Sequence, residues 1–153
     1  LSFVRRIFLA LVPAALLIVA GIMAPSAQAE APAVQAAAVG AAFDAQTGQA
    51  LAQWECSIGH VCFWNDFQGK GKRCMWENQD DDWNSAPVVC SWASSNEVKS
   101  VYNRGTSSQF KGVVFYRNTG FHDRIGCTKQ GQKGDLTGTY KVKSHQWTTG
   151  RCG

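Results

Sequence analysis

All six cysteines of this chain, Cys56, Cys62, Cys74, Cys90, Cys127 and Cys152, lie beyond Trp54 in a sequence of 153 residues. An even set of this kind in a small exported domain favours three disulfides that supplement a modest hydrophobic core. No two of the cysteines have the two-residue gap of a zinc knuckle, so a metal site is not expected. Six cysteines allow many pairings. The local solution, Cys56 with Cys62, Cys74 with Cys90 and Cys127 with Cys152, needs only short loop closures and is the connectivity expected here.

The oxidising context is read from the start of the chain. Arg5 and Arg6 precede an apolar run from Ile7 to Ala24, followed by Pro25 and the small-residue triplet Ala27-Gln28-Ala29. That order of charge, apolar run and cleavage site predicts a signal peptide over residues 1–29 and a secreted, extracellular protein. An uncleaved membrane anchor is the alternative, because the run approaches the roughly 20 residues that span a bilayer. Ala27 and Ala29 favour cleavage. The segment Arg5-Arg6-Ile7-Phe8-Leu9 also resembles a twin-arginine leader, a route that sits poorly with six cysteines because it carries proteins folded in a reducing cytosol. The chain opens at Leu1, which leaves the true start open.

Residues 30–53 are rich in Ala, Gln, Val and Gly without a sustained apolar period, and are expected to form a disordered linker or pro-segment. All six tryptophans and all three tyrosines lie from Trp54 onward. The folded unit is therefore placed at 54–153. Within it, Gly, Asn, Asp and Ser divide short β-branched and aromatic runs, and no stretch shows helical spacing, which predicts an all-β domain. Strands are expected at Val61–Trp64, Lys72–Trp76, Val98–Asn103, Gly112–Tyr116, Arg124–Cys127 and Lys141–Trp147.

These strands fall into two similar sets, motif one at 54–105 and motif two at 106–153. Val61-Cys62-Phe63-Trp64-Asn65-Asp66-Phe67-Gln68-Gly69 aligns with Val113-Val114-Phe115-Tyr116-Arg117-Asn118-Thr119-Gly120-Phe121-His122-Asp123 if the first copy is two residues shorter in its turn. Cys74 then matches Cys127, and Val98-Lys99-Ser100 matches Val142-Lys143-Ser144. A longer acidic loop, Asp80 to Val89, distinguishes the first copy.

At these residues the sequence resembles a known family. Phe115-Tyr116, four residues and Phe121 resemble the folded-hairpin signature of βγ-crystallin Greek-key motifs, and Ser100 and Ser144 resemble the serine late in each motif. Asp123 stands where the motif usually has glycine in a left-handed conformation, one that Asp tolerates better than most residues. The Cys56-to-Cys62 hook and the run Cys-Phe-Trp-Asn-Asp-Phe-Gln-Gly-Lys-Gly resemble the crystallin-like peptidase inhibitors of actinobacteria, typified by the streptomycete metalloproteinase inhibitor. The resemblance implies a βγ-crystallin-like Greek-key sandwich of two motifs and a secreted inhibitor of proteases, metalloproteases in particular. Within such an inhibitor, Ser85-Ala86-Pro87-Val88-Val89 is expected to be the inhibitory loop. It abuts Cys90, carries a stiffening proline and offers branched side chains to a specificity pocket.

The residues themselves argue against an enzyme. There is no Gly-x-Ser-x-Gly elbow, no His-Glu-x-x-His helix and no phosphate-binding glycine loop. His60, His122 and His145 lack the nucleophile and orienting acid of a triad and read as surface or turn residues. Asn96-Glu97-Val98-Lys99-Ser100 matches a calcium-binding crystallin motif only in part, and Lys99 and Lys141 would repel a cation. Asn96 and Ser100 are expected instead to satisfy backbone groups at a turn. Asp80-Asp81-Asp82 reads as a solvated acidic loop. No metal and no cofactor are expected.

Charge divides the two motifs. Trp54 to Gly105 holds five basic and seven acidic residues, whereas Thr106 to Gly153 holds eight basic and two acidic. Lys129, Lys133, Lys141, Lys143 and Arg151 offer a positive face to an anionic surface, so an antimicrobial or wall-binding role is one alternative. A calcium-binding structural domain is another. Nucleic acid is not an expected partner, since export and the lack of a recognised motif both oppose it, and the protein is expected to be a monomer. Trp64 and Trp147 are expected in the core, with Trp76, Trp83 and Trp92 around the Cys74-to-Cys90 loop.

Overall fold

A continuous apolar run such as Val61-Cys62-Phe63-Trp64 is stable as a strand only where both of its faces are covered, and the architecture follows from that requirement. The computed structural model describes residues 40–153; the expected leader at 1–29 and the segment 30–39 lie outside the described residues. Nine strands are present among them: β1 (Ala42–Asp44), β2 (Ala50–Leu51), β3 (Val61–Trp64), β4 (Gly71–Trp76), β5 (Val98–Asn103), β6 (Gly112–Asn118), β7 (His122–Lys129), β8 (Lys133–Tyr140) and β9 (Ser144–Thr148). They form a six-stranded sheet in the order β2-β1-β4-β3-β5-β8 and a three-stranded sheet in the order β7-β6-β9. The inner faces meet in one core of Val61, Phe63, Trp76, Trp83, Trp92, Val101, Val113, Phe115 and Val142. Cys62 and Trp64, on the outer face of β3, are covered by a second cluster that includes Ala42, Leu51 and Cys56.

The sequence order of the strands shows two interlocked Greek keys. In motif two, β6, β7 and β9 share one sheet while β8 crosses over and pairs with β5 of motif one. Motif one returns the exchange: β3, β4 and β5 share a sheet, and the chain after β4 crosses to the other, where Asp80 pairs with His145 of β9. In place of an eight-residue strand, motif one contributes one bridge and a long loop.

One serine fastens each hairpin. The Ser100 hydroxyl donates to the Asp66 carbonyl (2.7 Å) and accepts from the Gly69 amide (3.0 Å). Ser144 donates to the Asn118 carbonyl (2.6 Å) and accepts from Phe121 (3.2 Å). Both hydroxyls are buried, where an unpaired group would be costly. These bonds correct the expected alignment of the hairpins. Gln68, Gly69 and Gly71 have positive φ in motif one, as do Gly120, Phe121 and Asp123 in motif two. The same offset relates each pair, so neither turn is shorter. Gly71 and Asp123 occupy the same left-handed site, and Phe121 corresponds to Gly69 rather than Phe67.

Three further expectations change. Residues 40–53 are not all linker: β1 runs parallel to β4, and Ala42 and Leu51 are fully buried over Trp64. Alanine-rich sequence conceals this role because small side chains suffice to cover a tryptophan. The expected strand Lys141–Trp147 divides, with Lys141–Lys143 connecting β8 to β9. Strand β8 itself, Lys-Gly-Asp-Leu-Thr-Gly-Thr-Tyr, has no apolar run; as an edge strand it turns only Leu136 and Tyr140 toward the core.

Candidate functional site

The three disulfides pair Cys56 with Cys62, Cys74 with Cys90 and Cys127 with Cys152, at S–S distances of 2.02, 1.99 and 1.98 Å. Two of them frame exposed loops in motif one. The larger loop leaves the core at Trp83, whose amide donates to the Lys143 carbonyl (2.9 Å), and returns at Cys90, whose amide donates to the Trp83 carbonyl (2.8 Å). That bond closes a narrow neck. Ser85 through Pro87 and Val89 lie exposed beyond it, while Val88 is half-buried against the core. Val88 is thus an internal anchor of the loop, and Val89, 43% exposed, is its apolar offering to a partner.

The stem below the neck is rigid for identifiable reasons. Trp83 is fully buried and stacks on Trp76, with ring centroids 4.4 Å apart. The Trp76 indole donates to Asp80 Oδ2 (2.7 Å), and Asp80 Oδ1 accepts from the Asp82 amide (2.9 Å). Asp80 is therefore a buried capping group and not part of a solvated acidic run. Asp82 in turn accepts from the Asn84 amide through its carboxylate and from Ser85 through its carbonyl. Each residue entering the loop is held by one already fixed below it.

His145 completes the stem and departs from the surface role expected of it. It is fully buried, and the Trp83 indole donates to its Nδ1 (2.8 Å). Since indole only donates, Nδ1 is unprotonated and Nε2–H donates to the Asn78 carbonyl at 3.1 Å. Burial lowers its pKa to about 3, with the Asn78 carbonyl opposing the shift. The neutral ring is thus a fixed two-ended connector between the loop stem and β9. Of the other histidines, His60 is half-buried and His122 exposed.

The smaller loop is the Cys56–Cys62 hook. Gly59 donates to the Arg104 carbonyl and Arg104 to the His60 carbonyl, both at 2.8 Å, and Arg104 Nη1 reaches the Cys56 carbonyl at 2.6 Å. At its tip Ile58 is 69% exposed, the highest value among the large apolar side chains of the described residues. Sequence reasoning assigned the hook no contact. The available signal was an isoleucine in the short span between Cys56 and Cys62, separated by six positions, which is too small to bury it.

Hook and loop face one another across a groove of about 460 Å³, walled by His60 on one side and by Ala86, Pro87 and Val88 on the other, over Met75 and Trp76. The remaining candidate residues lie elsewhere. Ser100 is committed to the hairpin, Glu97 accepts from the Thr139 hydroxyl, and Asn96 is exposed. Among the described residues no three His, Cys, Asp or Glu side chains gather as metal ligands would. Trp76, Trp83 and Trp92 are buried, and Trp147 is half-buried and stacked on Phe110. None of these rings offers a fully open face. Basic side chains of motif two line two shallow depressions, one with Lys111, Lys129 and Arg151 and one with Arg117, Lys141 and Lys143.

The model of peptidase inhibitor family I36 matches residues 49–128, just over half of the chain. A βγ-crystallin from Ciona intestinalis superposes with a TM-score of 0.44 at 16% identity, covering 59% of this chain and all of its own. No curated protein gives a significant match.

Proposed function

The chain belongs to peptidase inhibitor family I36, and from that premise we propose that it is secreted and inhibits metalloproteases by presenting the 85–89 loop to the protease cleft as a substrate would lie. It is an inhibitor and carries out no catalysis of its own. The observation that supports the loop is its construction: an exposed tip held between a backbone-bonded neck and the Cys74–Cys90 disulfide. Restraint of this kind reduces the ordering cost of binding. It also holds the two ends of a nicked loop together, so cleavage does not release them. The metalloprotease target rests on the resemblance of the Cys62-to-Gly71 run to the streptomycete inhibitor.

The test is titration of the oxidised protein against a panel of secreted metalloproteases and serine proteases. Stoichiometric inhibition of a metalloprotease is expected. Val89→Asp, on an exposed side chain, is expected to weaken it by about tenfold or more at unchanged melting temperature. Inhibition of serine proteases alone would reassign the target, and unchanged potency of the variant would remove the loop.

A second reading draws on the two basic depressions of motif two, which suit an anionic polymer or membrane surface. It predicts binding to anionic vesicles or wall polymers that weakens steeply with salt.

A further inference from the structure

We propose, building on the inhibitor reading, that the docking surface is bipartite: the Cys56–Cys62 hook inserts Ile58 into a second apolar pocket of the protease, and the groove between hook and loop receives a basic ridge of that protease.

Three observations carry this. The first is Ile58 itself. A side chain 69% exposed on a ring closed by a disulfide and pinned to Arg104 has already lost much of the freedom that binding would otherwise remove. Its burial in a partner is therefore favourable with little ordering cost.

The second is position. Gly59 and His60 of the hook and Ala86, Pro87 and Val88 of the loop line depressions that share the rim Glu77-Asn78-Gln79. A partner seated on the loop tip consequently extends toward the hook. The backbone on both sides is fixed by strand pairing, β3 holding the hook and β4 the rim, and these two strands pair with each other.

The third is charge. Glu77, Asp80 and Asp81 line the groove, and no lysine or arginine does. The ion pairs among the described residues, Arg73–Asp44, Lys99–Asp66 and Arg117–Asp123, involve none of these three carboxylates. Asp80 is satisfied internally by Trp76 and the Asp82 amide, which leaves exposed Glu77 and Asp81 to attract a partner. A negatively charged groove lying between the hook that carries Ile58 and the loop that carries Val89 fits a protease whose cleft is flanked by Lys or Arg side chains.

The two elements have separable kinetic signatures. Rim charges act chiefly on association and its salt dependence, while buried apolar anchors act on dissociation. The experiment measures both rates for the full oxidised protein against the metalloprotease it inhibits, for Ile58→Asp, Ile58→Thr and Glu77→Gln/Asp81→Asn. Ile58→Asp is expected to speed dissociation about tenfold or more, and Ile58→Thr by less, with melting temperature and disulfide content unchanged. The double amide variant is expected to slow association and to flatten its dependence on salt while leaving dissociation as it was. Wild-type rates for both Ile58 variants, or loss of potency that only follows loss of melting temperature, would overturn the hook assignment. Salt-independent association of the unmodified protein would overturn the basic ridge. If the unmodified protein inhibits no protease of the panel, the inhibitor reading fails before any variant is made, and the bipartite surface fails with it.

Discussion

Motif two is what this fold looks like when every strand is kept; motif one shows what is gained by giving one up. In motif two, β8 crosses to the neighbouring sheet as an eight-residue strand that pairs with β5. In motif one the corresponding crossing shrinks to the Asp80–His145 bridge, and the chain between it and β5 becomes the stapled loop. The serine latch is common to both, so the scaffold does not depend on the missing strand. What replaces the lost ladder is side-chain chemistry: stacked Trp76 and Trp83, the buried Asp80 and His145, and one disulfide. At the position where motif one has Val101 after its latch serine, motif two has His145, and the ring's two nitrogens serve the other motif's loop. The irregular copy is thus supported by a substitution in the regular one.

The contrast is broken most forcefully at its disulfides. Replacing Cys74 and Cys90 together with Ala is expected to cost about 3 kcal/mol of stability and to remove most of the inhibition, because the neck of the loop opens. Replacing Cys127 and Cys152 is expected to cost a similar amount in a denaturant titration yet leave inhibition by the folded protein intact. Equal loss of inhibition in the two cases would show that the bridges serve stability alone.

Acid has an effect of similar size on stability. The unfolded chain binds a proton at His145 from about pH 6.5 downward, whereas the folded chain does so only near 3. The contribution of the neutral ring is therefore complete above about 6.5 and is lost as pH falls toward 3, by up to about 1.4 kcal/mol per pH unit. Urea midpoints measured from pH 7 to pH 4 check this slope. Trp83→Phe, which removes the indole donor, is expected to lower the whole curve without reversing it.

The smallest expected change tests what the motifs share. Ser100→Ala and Ser144→Ala each take the shared hydroxyl away from one carbonyl and one amide, at a cost of about 1–3 kcal/mol apiece. Similar values in calorimetry sharpen the view that one latch serves both copies; a negligible value for either removes it from that motif.

The fold was legible wherever function left the pattern alone. Val61–Trp64 and Val98–Asn103 were readable as strands because apolar, β-branched runs between turn residues state their own structure. The disulfide pairing followed from short closures for the same reason. Strand β8 was not legible, since Gly134 and Gly138 carry no side chain and Asp135, Thr137 and Thr139 face outward along an edge. Strands β1 and β2 were hidden by alanine, and the alignment of the hairpins was misread because Phe67 and Phe121, alike in type, occupy different positions in the turn. The loop could be located by its proline and cysteine. The inward turn of Val88, the burial of His145 and the exposure of Ile58 depend on tertiary contacts that no local pattern records.

The inhibitory role of motif one is decided by where a bound protease touches the protein. Amide hydrogen exchange on the complex measures that contact residue by residue. Slowed exchange is predicted in residues 57–60 and 84–90 of motif one, with Lys111, Lys129 and the β8–β9 connection unchanged. Slowing confined to the basic residues of motif two, with the 84–90 loop exchanging as in the free protein, would contradict it.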